Sequence, residues 1–111
     1  MMGVYVHEDD VLTIQENGLP GGLLIGEANG ATKGFCIGIA HYNNDEYLEP
    51  GVHDDQEGFC VLEGTGMAKV GDEEFEVRPG TSFIAQAGVP HVIKKDPRSG
   101  PVKILYAHGA V

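Results

Sequence analysis

Tryptophan is missing from this chain of 111 residues, and aromatic residues make up only 7% of it. A core built from it must therefore be mainly aliphatic. Cysteine occurs twice, as Cys36 and Cys60. At most one disulfide can form, and neither residue belongs to a Cys-x-x-Cys zinc or redox pair. Both thiols sit in apolar stretches, Gly34-Phe35-Cys36-Ile37 and Phe59-Cys60-Val61-Leu62. They are expected to be buried and reduced, as in a cytoplasmic protein. Basic residues are scarce: seven Lys and Arg stand against 17 Asp and Glu, a formal net charge of −10. Only Lys33 is basic before Lys69. A binder of the phosphate backbone needs clustered cations, so nucleic acid is not an expected partner. The later group Lys94, Lys95, Arg98 and Lys103 reads as a solvated edge. Long apolar runs are lacking as well, so no helix can span a bilayer and no membrane partner is expected. The Met1–Met2 start leads into no basic-then-apolar stretch, which predicts no secretory signal. Helical periodicity is the last absence, for no glycine-free window of about 12 residues repeats at 3.6.

What is present is punctuation. Seventeen glycines and six prolines divide the chain into short apolar segments. The alternation predicts strands over Gly21–Ile25, Thr32–Tyr42, Gly58–Glu63, Met67–Val70, Glu74–Val77, Ser82–Ala85, His91–Lys94 and Val102–His108. Val11–Ile14 reads either as a strand or as a short helical turn after Glu8-Asp9-Asp10. Eight to ten strands in a small chain are expected to close into a barrel or sandwich, because closure removes exposed edges. Residues 1–111 are read as one domain. Strand alternation places Phe35, Ile37, Ile39 and His41 on one face, and Cys36, Gly38, Ala40 and Tyr42 on the other. The first face is expected to point inward.

Carboxylates and histidines gather in two places. Seven carboxylates and no Lys or Arg lie between Asp45 and Glu63, with His53 among them. If His53, Asp55 and Glu57 share a strand, they share a face. His91 stands alone after the Gly88-Val89-Pro90 turn. Imidazole with carboxylate suits first-row divalent metals, and three protein ligands leave positions open for a substrate.

These residues resemble the cupin superfamily, in particular its small single-domain members. The family's first motif sets two histidines one residue apart, then a glutamate, then a glycine after six further residues. Here Glu57 is followed by Gly58-Phe59-Cys60-Val61-Leu62-Glu63 and then Gly64, and His53 stands where the second histidine belongs. The second motif runs from Gly80 through Gln86, in place of a proline, to Gly88 and His91, with Lys95 in place of an asparagine. The motif-bearing region is about Gly51 to Lys95. The resemblance implies an all-β, cupin-type double-stranded β-helix or jelly-roll barrel. It also implies one divalent metal held by His53, Glu57 and His91, with Fe, Mn, Ni and Zn not distinguished.

One departure stands out. Gly51 occupies the position of the family's first histidine and has no ligand atom. Asp55 and His41 are the residues available to supply an extra ligand. The pocket is expected to be lined by Phe35, Ile37, Ile39, Phe59, Val61, Ile93, Ile104 and Tyr106. Tyr106, His41 and His108 are the acid–base candidates. The ordinary alternative places Tyr106 in the core with its hydroxyl bonded, and His108 at the loose end of the last strand. The expected function is metal-dependent action on, or binding of, a small polar metabolite, as by an oxygenase, isomerase or lyase. The alternative is a non-catalytic small-ligand-binding or regulatory module. A small organic acid or keto compound is the expected ligand, and a homodimer the expected assembly.

Overall fold

Turns at glycine and proline cut the chain into short strands, and the strands sort into two sheets. The computed structural model describes residues 3–109. Among them a helical turn, α1 (Glu8–Val11), precedes β1 (Thr13–Ile14) and β2 (Pro20–Ile25). The remaining strands are β3 (Cys36–Tyr42), β4 (Gln56–Glu63), β5 (Gly66–Val70), β6 (Glu73–Val77), β7 (Ser82–Ala85), β8 (His91–Lys95) and β9 (Val102–Gly109). One sheet has the order β1-β2-β3-β9-β4-β7 and the other β6-β5-β8. This is the two-sheet architecture of the expected jelly roll. Both readings of Val11–Ile14 are realised, a helical turn running directly into a two-residue strand.

The registers show which side chains face inward. Ile104 of β9 lies between Ala40 of β3 and Val61 of β4. Tyr106 lies between Gly38 and Phe59, and Phe59 in turn faces Phe83 of β7. The small sheet adds Ala68, Val77 and Ile93, which pack with Phe59, Val61, Ala85, Val102 and Ile104 into one aliphatic core. Phe59 and Phe83 stack at 4.7 Å.

The inward face of β3 is the opposite of the one expected. Cys36, Gly38, Ala40 and Tyr42 face the core, through pairing with His108, Tyr106, Ile104 and Val102. Phe35, Ile37, Ile39 and His41 therefore lie on the outer side. Ile39 is buried, yet it is no member of the core cluster. The sheet is apolar on both faces, so alternation of apolar residues could not choose between them. β3 also starts later than Thr32. Lys33 and Gly34 both take positive φ, 56° and 77°, so the chain is still turning there.

The segment between β3 and β4 is a strap along the free edge of β8. Asn44 accepts the Lys95 N–H and donates its side-chain amide to the Ile93 carbonyl, at 2.9 and 3.0 Å. Lys95 pairs with Asp45 at 2.7 Å. Tyr47 donates to Glu74 at 2.6 Å and carries the Lys94 ammonium over its ring. Gly51 and His91 exchange two backbone hydrogen bonds of 2.9 Å. An otherwise open edge is thereby covered, and the next residues are brought to the same end of the barrel as His91.

Gly38 is required by packing. A Cβ there would collide with Cζ and Oη of Tyr106, whose side chain lies across β3. Gly38→Ala is expected to lower stability by about 1–3 kcal/mol, as overpacking does. Urea unfolding should show a lower midpoint at unchanged slope. An unchanged midpoint would contradict this packing.

Candidate metal centre

Glu57 is the centre of the site. It is the second residue of β4, between His108 on β9 and Ala85 on β7, and it is 6% exposed. Its neighbours inward along β4 are Phe59 and Val61, so its carboxylate sits where the aliphatic core ends. Three imidazole Nε2 atoms converge on it. His91 lies 3.1 Å and His53 3.3 Å from Oε1, while His108 lies 3.0 Å from Oε2. Oε1 is buried and accepts no well-aligned hydrogen bond, although two ring nitrogens are close. The two rings approach Oε1 without the alignment of a hydrogen bond. Buried polar atoms normally find a partner, so Oε1 is missing one.

Each imidazole is brought in by a different part of the chain. His91 opens β8 after the Pro90 turn, and its Nδ1 lies 3.1 Å from the Val89 carbonyl. His108 is next to last in β9, and its Nδ1 lies 3.1 Å from Asp55 Oδ1. His53 precedes β4, and its carbonyl accepts the Gly88 N–H at 2.8 Å. The His53 ring meets His108 edge-on at 4.8 Å and His91 at 5.1 Å. The glutamate beside His91 raises its pKa above the usual imidazole value. Burial opposes that shift, and the Val89 carbonyl reinforces it.

The donor atoms of His53, Glu57 and His108 all lie within 4.8 Å of one another. His91 approaches the same carboxylate through Oε1. Bonds of about 2.0–2.1 Å to nitrogen put two ligands of one ion no more than about 4 Å apart, so small movements would close this set on a cation. The donors are nitrogen and oxygen, which suits a divalent first-row metal.

The structure brings His53, Glu57 and His91 together, and it adds His108, which sequence reasoning had assigned to acid–base work or a loose strand end. His108 could have been found from strand parity, since it shares a face with Ile104 and Tyr106. Asp55 stands behind His108 rather than beside His53. The shared-face argument fails because β4 begins only at Gln56. His41 lies on the outer side, where its Nδ1 is 2.6 Å from the Pro20 carbonyl and its register partner on β9 is Lys103. Tyr106 reaches over Gly38 of β3, on the other side of β9 from Glu57. Phe59, Val61, Ile93 and Ile104 form the core beneath the centre. Phe35 is 47% exposed, and Ile37 lies in a shallow outer groove with Cys60 and Leu105.

Ile93 does line the cavity beside the centre, about 250 Å³, where it is joined by Tyr42, Asn44, Leu48, Glu49 and Gly51, with His53, Glu57 and His91 at the base. A Cβ at Gly51 would stand 3.3 Å from His91 Nε2 and 3.7 Å from His53 Nε2. The missing side chain therefore leaves space directly against the imidazoles. Tyr42 is the tyrosine that shares this cavity. Burial, with Glu57 nearby, pushes its hydroxyl up to about 12, so it stays protonated. Reversed parity in β3 hid it from sequence reasoning.

A wider set of structures shares this fold. A polyketide cyclase, RemF from Streptomyces resistomycificus, superposes with a TM-score of 0.79 at 24% identity, covering 96% of this chain and 79% of its own. The plu4264 protein from Photorhabdus luminescens gives 0.74 at 17% identity, over 99% and 89% of the two chains. The cupin domain of Cnp3 from Schizosaccharomyces pombe gives 0.73 at 18% identity, over 92% and 66%. No curated protein matches the sequence. The model of the cupin domain family matches residues 38–108, from the strand that seats Tyr106 to the histidine that faces Glu57. With two jelly-roll sheets, a glutamate and histidines at one end, and that match over most of its length, the chain belongs to the cupin family.

Proposed function

We propose that His53, Glu57, His91 and His108 hold one divalent metal ion, and that the adjoining cavity presents a small polar molecule to it. The observation that carries this reading is the buried Oε1 of Glu57, without a hydrogen bond while imidazole nitrogens converge on its carboxylate. A bound metal supplies Lewis acidity toward a carbonyl or hydroxyl oxygen. The chain's own residues prepare the ligands. Asp55 accepts from His108 Nδ1–H, which leaves the Nε2 lone pair toward the centre. The Val89 carbonyl does the same for His91. Tyr42, protonated, can donate to an oxygen of a molecule in the cavity.

Turnover of that molecule, as by an oxygenase, isomerase or lyase, is one use of the centre. Holding it without turnover, as a ligand-binding or regulatory module, is the other. Iron, manganese, nickel and zinc all suit the donor set. Free thiols at Cys36 and Cys60 support a reducing, cytoplasmic setting. No helix among the described residues is long and apolar enough to cross a membrane. Pairing of two copies through the outer face is supported by Ile84, Phe35 and Leu62, which are exposed there.

Protein purified without added metal should contain close to one metal per chain by elemental analysis. Glu57→Ala should lose it, and His108→Ala should weaken it as much as His91→Ala does. Equal metal content in all four proteins would contradict the site. Asp55→Asn should lower metal affinity about 10–100-fold at unchanged stoichiometry in calorimetric titration, the usual effect of losing such a support. For assembly, sedimentation equilibrium should give a dimer, and Ile84→Glu a monomer; a monomeric parent protein would remove the pairing.

A further inference from the structure

The walls around the centre carry one sign of charge. The 250 Å³ cavity has exposed Glu49 and buried Glu57 among its lining residues, with Tyr42 and Asn44 as its neutral polar groups. A second opening, which also reaches His53, is lined by Val52, Asp54, Asp55 and His108. Neither opening has a Lys or Arg among its lining residues. The nearest cations are engaged elsewhere. Lys95 is paired with Asp45 at 2.7 Å, Lys94 lies over the Tyr47 ring, and Lys103 is held by Glu8 at 2.7 Å on the outer side. Lys33 lines an outer groove that touches His108 but neither His53 nor Glu57.

Among the described residues no Lys or Arg lines either opening, so the metal would supply the positive charge that a ligand meets there. A molecule that chelates through hydroxyl or carbonyl oxygens can use it. A second anionic group on the same molecule, a carboxylate or phosphate, would face the exposed carboxylates of Glu49 or Asp54 with no counter-charge, a repulsion that salt screens. An ammonium group would be attracted to the same carboxylates. The cavity is also smaller than the ~300–1,000 Å³ typical of drug-sized ligands, which favours a small molecule.

Resting on the metal centre proposed above, we infer that this site prefers a small neutral or cationic hydroxy or carbonyl compound to one that carries an anionic group beyond its chelating oxygens. Of the two ligand classes expected from sequence, a small organic acid or a keto compound, this favours the keto compound.

The test uses the full chain loaded with Co²⁺, whose visible absorption reports both occupancy and ligand exchange. Three catechols of similar size serve as probes: dopamine as the cation, 4-methylcatechol as the neutral form, and 3,4-dihydroxyphenylacetate as the anion. The first two should bind at least tenfold more tightly than the third at low salt. The gap should narrow in high salt, as screening requires. It should also narrow in a Glu49→Gln/Asp54→Asn double variant that still takes up one Co²⁺. The anion binding as tightly as the others, an undiminished gap in the double variant, or a Co²⁺ spectrum that no probe perturbs would overturn the inference while leaving the metal centre standing. Failure to take up Co²⁺ would overturn the metal centre itself, and the inference with it.

Discussion

A carboxylate placed where a barrel core ends, with three imidazoles turned toward it, is the constraint on which this structure depends. Glu57 is buried on the same strand face as Phe59 and Val61. Removing an ion from water costs on the order of several kcal/mol unless partners compensate. The protein supplies imidazole nitrogens rather than a Lys or Arg, and it leaves Oε1 without a hydrogen bond. A fixed cation from the chain would have closed the site. Imidazoles, which can serve as metal ligands, leave it ready for an exchangeable one.

The rest of the fold can be understood as the means of holding those four residues at one end. The two sheets contribute unequally. The large sheet supplies Glu57 and His108 as register partners, and the small sheet supplies His91 at the start of β8. The strap from Asn44 to Gly51 ties itself to β8 and delivers His53 across the gap. Gly51 serves the strap and the site together. It exchanges backbone hydrogen bonds with His91 while keeping the space against the imidazoles open. The position of the missing motif histidine has become part of the cavity, and a histidine from β9 faces Glu57 from the other side.

Much of this was legible in the sequence because the signals were local. The Gly64, Gly71 and Gly88 turns mark strand ends, and the Glu57–Gly64 and Gly80–His91 spacings point to the jelly roll and to three of the four site residues. Two things lay outside the motifs. His108 carries no motif, and it meets Glu57 only through the pairing of β4 with β9, a contact between distant parts of the chain. The facing of β3 was misread because Ile37 and Ile39 are apolar on a face that is not the core, while glycine and alanine occupy the inward positions. Gly38 is inward because the Tyr106 ring needs its space. Small residues gave no hydrophobic signal where the packing was tightest, so Tyr42 and His41 exchanged roles.

The most direct measurement is X-ray absorption at the metal edge on Co²⁺- or Zn²⁺-loaded protein, paired with the His108→Ala variant. The account predicts a first shell of nitrogen and oxygen with outer-shell scattering from three imidazoles, falling to two in the variant. A shell containing sulfur, or an imidazole count unchanged by the substitution, would contradict it.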